Sequence, residues 1–222
     1  MTAAEQEYTK QIYIGISNGH APMHTHVLAE LVGAKPSSAT DMVKKLTLKG
    51  LVNYRKSHGF SLTESGEQVA LQVIRRHRLW ELFLTENLKI DWKEVHAMAN
   101  ELQCINSDLL INSLEAYLGY PVYDPHGEVI PDAKGQLPPT ERIEIYDLKV
   151  GQEAIVSGFR DSGKAFLAYI EKLGLLIGQK FKVKSLIDYN HSVEIKTNEG
   201  SSFIITKETA QKIYVTIDEQ NG

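Results

Sequence analysis

Residues 25–63, THVLAELVGAKPSSATDMVKKLTLKGLVNYRKSHGFSLT, constrain the fold more than any other stretch. Thr25 stands where it can cap a short helix over Val27, Leu28, Leu31 and Val32, with Gly33 to end it. Pro36 suits the first turn of a second helix, because the N–H it lacks would go unpaired there. Ser37 and Ser38 lie in that turn, Met42, Val43 and Leu46 face inward, and Gly50 closes the helix. LVNYR and GFSLT then read as two short strands around KSHG. Helix, tight turn, helix and hairpin in this order make a winged helix-turn-helix. The second helix and the wing carry six basic residues (Lys35, Lys44, Lys45, Lys49, Arg55, Lys56) against the single acid Asp41. That excess favours DNA over a protein partner.

The charge of the whole chain supports this. Net charge is −4, yet residues 1–80 hold ten Lys/Arg against six Asp/Glu. A basic first third on an acidic protein fits an anionic partner, since lysines beside phosphate gain by releasing counterions. The chain is 222 residues long and 42% hydrophobic, enough for two or three small domains. One cysteine rules out an internal disulfide and fits a reducing cytosol. The opening MTAAEQEYTKQIYIG has early acids and no signal-peptide core, so a cytoplasmic protein without membrane spans is expected.

Outside the winged stretch, residues 4–18 place Tyr8, Ile12 and Ile16 at helical spacing. Residues 64–87 form a long helix, about 92–104 another, and SDLLINSLEAYLGYP a third, ended by Gly119 and Pro121. Leu109, Leu110, Leu114 and Leu118 exceed what a small core needs, so part of that surface reads as a dimer seam. DPHGEVIPDAKGQLPPTE (124–141) reads as a linker. Short alternating strands around one short helix (about 163–173) follow, a small β-barrel. The expected architecture is α+β: winged helix-turn-helix domain 1–70, helical metal-binding and dimerisation domain 71–123, linker 124–141 and an SH3-like barrel 142–222.

LVGAKPSSATDMVKKLTLKGLVNY, LTESGEQVALQVIRRHRLWELFL, EVHAMANELQCINSD and DPHGEVIP resemble the diphtheria toxin repressor and manganese transport regulator family. KLGLLIGQKFKV resembles its C-terminal SH3-like, FeoA-like domain. The likeness runs through nearly the whole chain in the family's order. It implies a homodimeric repressor that binds palindromic double-stranded operators, with Mn²⁺ or Fe²⁺ as corepressor and Zn²⁺ as a further candidate.

On the DNA side, Lys35, Pro36, Ser37, Ser38, Thr40 and Asp41 would stand at the start of the recognition helix, where such helices meet base edges. Lys44, Lys45 and Lys49 suit phosphates, and Arg55, Lys56 and His58 at the wing could touch a second backbone stretch. On the metal side, the resemblance implies two sites. His77 and Glu81, four apart on one helical face, with His96 from the next helix, make a partial shell for one. The positions where the family's C-terminal domain lends two further ligands fall on Ala165 and Ala168, which cannot ligate; Asp161 or Glu171 are the possible substitutes.

For the other site, the implied positions fall on Glu7, Lys10, Asn100, Gln103 and Cys104. Two amides replace carboxylates and an ammonium stands where manganese regulators have a glutamate, so the shell has lost negative charge and gained a positive one. This reading expects Lys10 beside Asn100 and Gln103, standing in for the ion. Cys104 is read first as a packed small hydrophobe, then as a soft ligand, then as a redox-sensitive thiol. Metal-independent DNA binding or thiol sensing is the alternative within the regulator class. A zinc enzyme built on His77, Glu81 and His96 is disfavoured because no H-E-x-x-H run, Ser-His-Asp set or phosphate loop is present. A pure interaction module is the remaining competitor.

Overall fold

The computed structural model describes all residues except 56–57, 139–142, 162, 199 and 218–222. The chain divides into two compact units. One contains Met1–Phe83, Ala97–Val122 and Ile130–Pro138, the other Leu84–His96, Tyr123–Val129 and Pro139–Gly222.

The first unit opens with α1 (Ala3–Ser17), started by a capping box in which the Thr2 hydroxyl and the Glu5 carboxylate satisfy each other's backbone N–H groups. α2 (Thr25–Val32), α3 (Pro36–Leu48), β1 (Val52–Arg55) and β2 (Gly59–Leu62) complete the winged motif. The two strands pair antiparallel, Val52 opposite Leu62 and Arg55 opposite Gly59. Ile12, Met23, Leu28, Val43, Leu46 and Phe60 bury their side chains in one core. Each such burial contributes roughly 1.5–3 kcal/mol. Pro36 is at the start of α3, and Gly33 ends α2 in the left-handed conformation, both as expected. Thr25 is not the cap. The helix already begins there, and His24 holds the cap position without a side-chain hydrogen bond.

α4 (Glu64–Glu86), α5 (Val95–Leu102) and α6 (Asp108–Tyr117) follow. α5 is shorter than its periodicity suggests. Asp91 Oδ1 accepts the Lys93 N–H at 2.9 Å, holding the approach in a turn. Ser107 caps α6. Leu79, Leu82, Ile111, Leu114 and Ile130 form a second core. The expected leucine seam on α6 is split: Leu114 belongs to this core, whereas Leu109 is 80% exposed and Tyr117 68%.

Residues 124–138 are folded rather than free. Asp124 Oδ1 accepts the backbone N–H groups of His126 and Glu128, both at 2.8 Å. Asp132 repeats the arrangement with Lys134 and Gln136. DPHGE and DAKGQ are thus the same Asx-turn, each with its glycine at positive φ (Gly127 75°, Gly135 73°).

The second unit is a six-stranded antiparallel sheet in the order β3-β8-β4-β5-β6-β7. Its strands are β3 (Ile143–Glu144), β4 (Glu153–Phe159), β5 (Lys180–Ile187), β6 (Ser192–Thr197), β7 (Ser202–Ile205) and β8 (Ile213–Ile217). Register shifts between Val156 and Gly158 and between Val183 and Ser185 are irregularities of the kind that bend strands around a small core. Leu167 and Ile170 of α7 (Lys164–Leu173) pack into that core with Val156, Phe181 and Ile195. No described helix is long and apolar enough to cross a membrane.

Candidate nucleic-acid and metal sites

α3 exposes Lys35, Pro36, Ser37, Ser38, Asp41, Lys44 and Lys45, while Ala39, Val43 and Leu46 are buried beneath them. The recognition face is therefore polar and accessible because the opposite stripe anchors the helix. The Thr40 hydroxyl donates to the Pro36 carbonyl at 2.9 Å, so towards an outside partner it can only accept. Lys44 lies 3.3 Å from Asp41 on the surface. Arg55 and His58 are exposed on the wing, and Lys56 lies outside the described residues.

Lys45 and Lys49 have an intramolecular role that their sequence positions do not reveal. Both reach the Glu5 carboxylate of α1, at 3.0 and 2.7 Å. Glu5 is fully buried. The Lys49 ammonium, then the Thr2 backbone N–H, then Lys45 hold its carboxyl down to about 2 from the usual 4.5. Each ammonium keeps further N–H groups for phosphate, and the recognition helix is tied to α1 by charge as well as by packing. Sequence reasoning missed Glu5; the T-x-x-E capping signature at Thr2–Glu5 could have marked it, but nothing there points to the two lysines.

His77 and Glu81 project from α4 one turn apart, with His77 Nε2 3.0 Å from Glu81 Oε1. His96 lies in the first turn of α5, a helix that continues into the first unit from Ala97. One ligand atom from each of the three residues lies within 4.8 Å of the others, the only such group of histidine, cysteine and carboxylate among the described residues. Two imidazoles and a carboxylate fit Mn²⁺, Fe²⁺ or Zn²⁺. His77 and Glu81 are buried, which keeps competing water away. The suggested substitutes in the C-terminal domain are engaged elsewhere: Asp161 with Lys212 at 3.2 Å and Glu171 with Lys93 at 2.7 Å.

The other expected ligands surround a side chain instead. Lys10, only 2% exposed, places its ammonium 2.8 Å from Asn100 Oδ1, 3.0 Å from Gln103 Oε1 and 2.9 Å from Glu7 Oε2. Gln103 Nε2 donates to Glu7 Oε2 at 2.8 Å, so its amide oxygen points at the cation. Burial raises the Glu7 carboxyl on its own, but the Lys10 charge and the hydrogen bonds from Gln11, Lys10 and Gln103 leave it below its usual value. Burial pulls Lys10 down, opposed by Glu7. Three acceptors around one nitrogen match the three N–H groups of the charged form. Arg76 and Gln6 were missed in sequence. The Arg76 guanidinium donates to the Gln103 carbonyl at 2.7 Å and to Gln6 Oε1 at 3.0 Å, tying α4 to the same place. Cys104 is half-buried, with Sγ 3.8 Å from the Asn100 carbonyl, and joins no ligand group.

Residues 1–60 match the model of the iron dependent repressor N-terminal DNA binding domain. Residues 63–132 match the iron dependent repressor metal binding and dimerisation domain, and 143–217 the FeoA domain. An uncharacterised HTH-type transcriptional regulator of Methanocaldococcus jannaschii is 34% identical over 118 residues, 53% of this chain and 94% of its own. This chain belongs to the iron-dependent repressor family. The HTH-type transcriptional regulator MntR of Lysinibacillus sphaericus is 33% identical to it, over 51% of this repressor and 78% of its relative. A manganese-dependent transcriptional repressor in complex with manganese shares the fold with a TM-score of 0.87 at 30% identity. That match covers 96% of this repressor and 100% of the other chain. Family membership makes the winged motif a DNA-binding domain and the chain a regulator of transcription.

Proposed function

We propose that this repressor is a cytoplasmic homodimer that binds palindromic operators through α3 and the wing, and that Mn²⁺ or Fe²⁺ at His77, Glu81 and His96 controls the binding. It regulates metal-homeostasis genes and has no catalytic role. The observation that carries the reading is the convergence of three ligand atoms from α4 and α5 within 4.8 Å. A bound dication supplies a fixed positive charge and a cross-link between the two helices. His77 and Glu81 contribute from one rigid helical face, and His96 from the first turn of α5. At the DNA, Ser37, Ser38 and Asp41 meet bases or backbone at the helix start, while Lys35, Lys44, Lys45 and Arg55 contact phosphate. Lys56 is placed with Arg55 on the wing by sequence alone. The domain limits that suit this reading are 1–70, 71–123 and 142–222, with the turn-folded stretch 124–138 between the last two.

The test is fluorescence anisotropy of the chain's own upstream DNA with metal-stripped protein, before and after Mn²⁺ or Fe²⁺. Affinity is expected to tighten at least tenfold with metal, and not in His77→Ala or His96→Ala. Equal affinity of stripped and loaded protein would reject metal control and favour metal-independent binding. An oxidant-dependent change lost in Cys104→Ser would favour thiol sensing.

A further inference from the structure

We infer that the pocket between α1 and α5 takes no metal because it carries its own cation: the Lys10 ammonium, bound by Glu7, Asn100 and Gln103, latches the two helices permanently. The inference rests on the family reading only for its regulatory consequence, that any response to metal runs through His77, Glu81 and His96 alone.

The geometry is that of an occupied site. Three oxygens, from α1, from α5 and from Gln103 just after α5, approach one nitrogen at 2.8–3.0 Å, and each of the three N–H groups has its acceptor. Nothing is left open for an incoming ligand. The charges also close. Glu7 is the one carboxylate among the three partners, so ammonium and carboxylate cancel, whereas a dication would leave the pocket one charge positive even with Lys10 expelled. Expelling it would mean displacing a side chain that is 2% exposed from partners of which Gln103 is 1% exposed. The surrounding network is built to hold these partners. Gln11 Nε2 donates to Glu7 Oε1 at 2.8 Å, and Arg76 holds the Gln103 carbonyl while gripping Gln6 of α1. α1 is in turn bound to α3 through Glu5, Lys45 and Lys49. The latch thus fixes the helix on which the recognition helix leans, with or without an ion.

The experiment uses the full chain with His96→Ala, which silences the other site, and Mn²⁺ alone as probe in equilibrium dialysis. With Lys10 intact, no Mn²⁺ should bind; Lys10→Glu on that background should bind about one ion per chain. One Mn²⁺ per chain with Lys10 intact, lost on Glu7→Gln, would overturn the inference, as would failure of Lys10→Glu to gain an ion. Hydrogen exchange reads the latch independently of metal. Amides of α1 should exchange at least tenfold faster in Lys10→Met than in wild type, Lys10→Arg should lie close to wild type, and Mn²⁺ should not change the wild-type rates at α1. Unaltered exchange in Lys10→Met would remove the latch. If the chain without His96→Ala binds no Mn²⁺, the proposed function falls, while the Lys10 comparison on the His96→Ala background still reads the latch.

Discussion

α5 lends side chains to two polar groups of opposite construction. His96 and Asn100 are four residues apart on one stripe of the helix, and Gln103 follows its last residue. At one end of α5 His96 comes together with His77 and Glu81, the group proposed to hold an ion. At the other, Asn100 and Gln103 meet a lysine that already fills the space. The scaffold is common to both, and the difference lies in the charge of a few side chains. Two imidazoles and a carboxylate offer nitrogen and oxygen donors suited to a dication; amides and one carboxylate balance a single ammonium.

The largest break in that comparison should come from the first site. His77→Ala or Glu81→Gln is expected to weaken Mn²⁺ binding by more than about 100-fold, since losing even a group that only hydrogen-bonds to a ligand costs roughly 10–100-fold; titration calorimetry would check it. Next is the latch. Lys10→Met leaves Glu7 without its cation and should lower the unfolding free energy by about 2–3 kcal/mol, less than for a fully buried pair because Glu7 remains partly exposed. Urea melts of the double variant Glu7→Gln with Lys10→Met should recover most of that loss, which an unrelated packing defect would not do.

A smaller effect sharpens the role of the amides. Gln103→Leu keeps the bulk but takes one acceptor from Lys10 and one donor from Glu7, and should cost about 1–2 kcal/mol in the same assay. The smallest concerns the other buried charge of α1. The carboxyl of Glu5 is depressed from 4.5 to about 2 in the folded chain, so its contribution is complete above its unfolded value and is lost as pH falls through the folded one. The stability deficit of Glu5→Gln should therefore be level above about pH 4.5 and narrower near pH 3. A deficit that stayed constant across that window would count against the Lys45 and Lys49 contacts.

Much of this was legible in the chain itself. The winged motif was readable because its signals are local: Pro36 opens a helix, Gly33 closes one, and alternation marks LVNYR and GFSLT. His77 and Glu81 were legible because a four-residue spacing on a helix places two side chains together without help from the rest of the fold. The Lys10 arrangement was expected only through register with relatives. Glu5 with Lys45 and Lys49, and Arg76 with Gln6 and Gln103, left no such trace, because partners 27 to 70 residues apart share no periodicity. The stretch 124–138 read as a linker because Pro and Gly suppress periodicity, yet Asp124 and Asp132 fold it by bonding their own backbone.

The amino-acid order alone determined which segments are helices and strands, the polarity of each face and the types of ligand on offer, since all of these follow from neighbours along the chain. Only the tertiary structure decided which side chains each end of α5 meets. A buried charge is tolerated only where distant groups converge on it at hydrogen-bonding distance, and that convergence is a property of packing. For that reason Lys10, an unremarkable residue in an N-terminal helix, became the centre of one group, while His96 came together with His77 and Glu81 in the other.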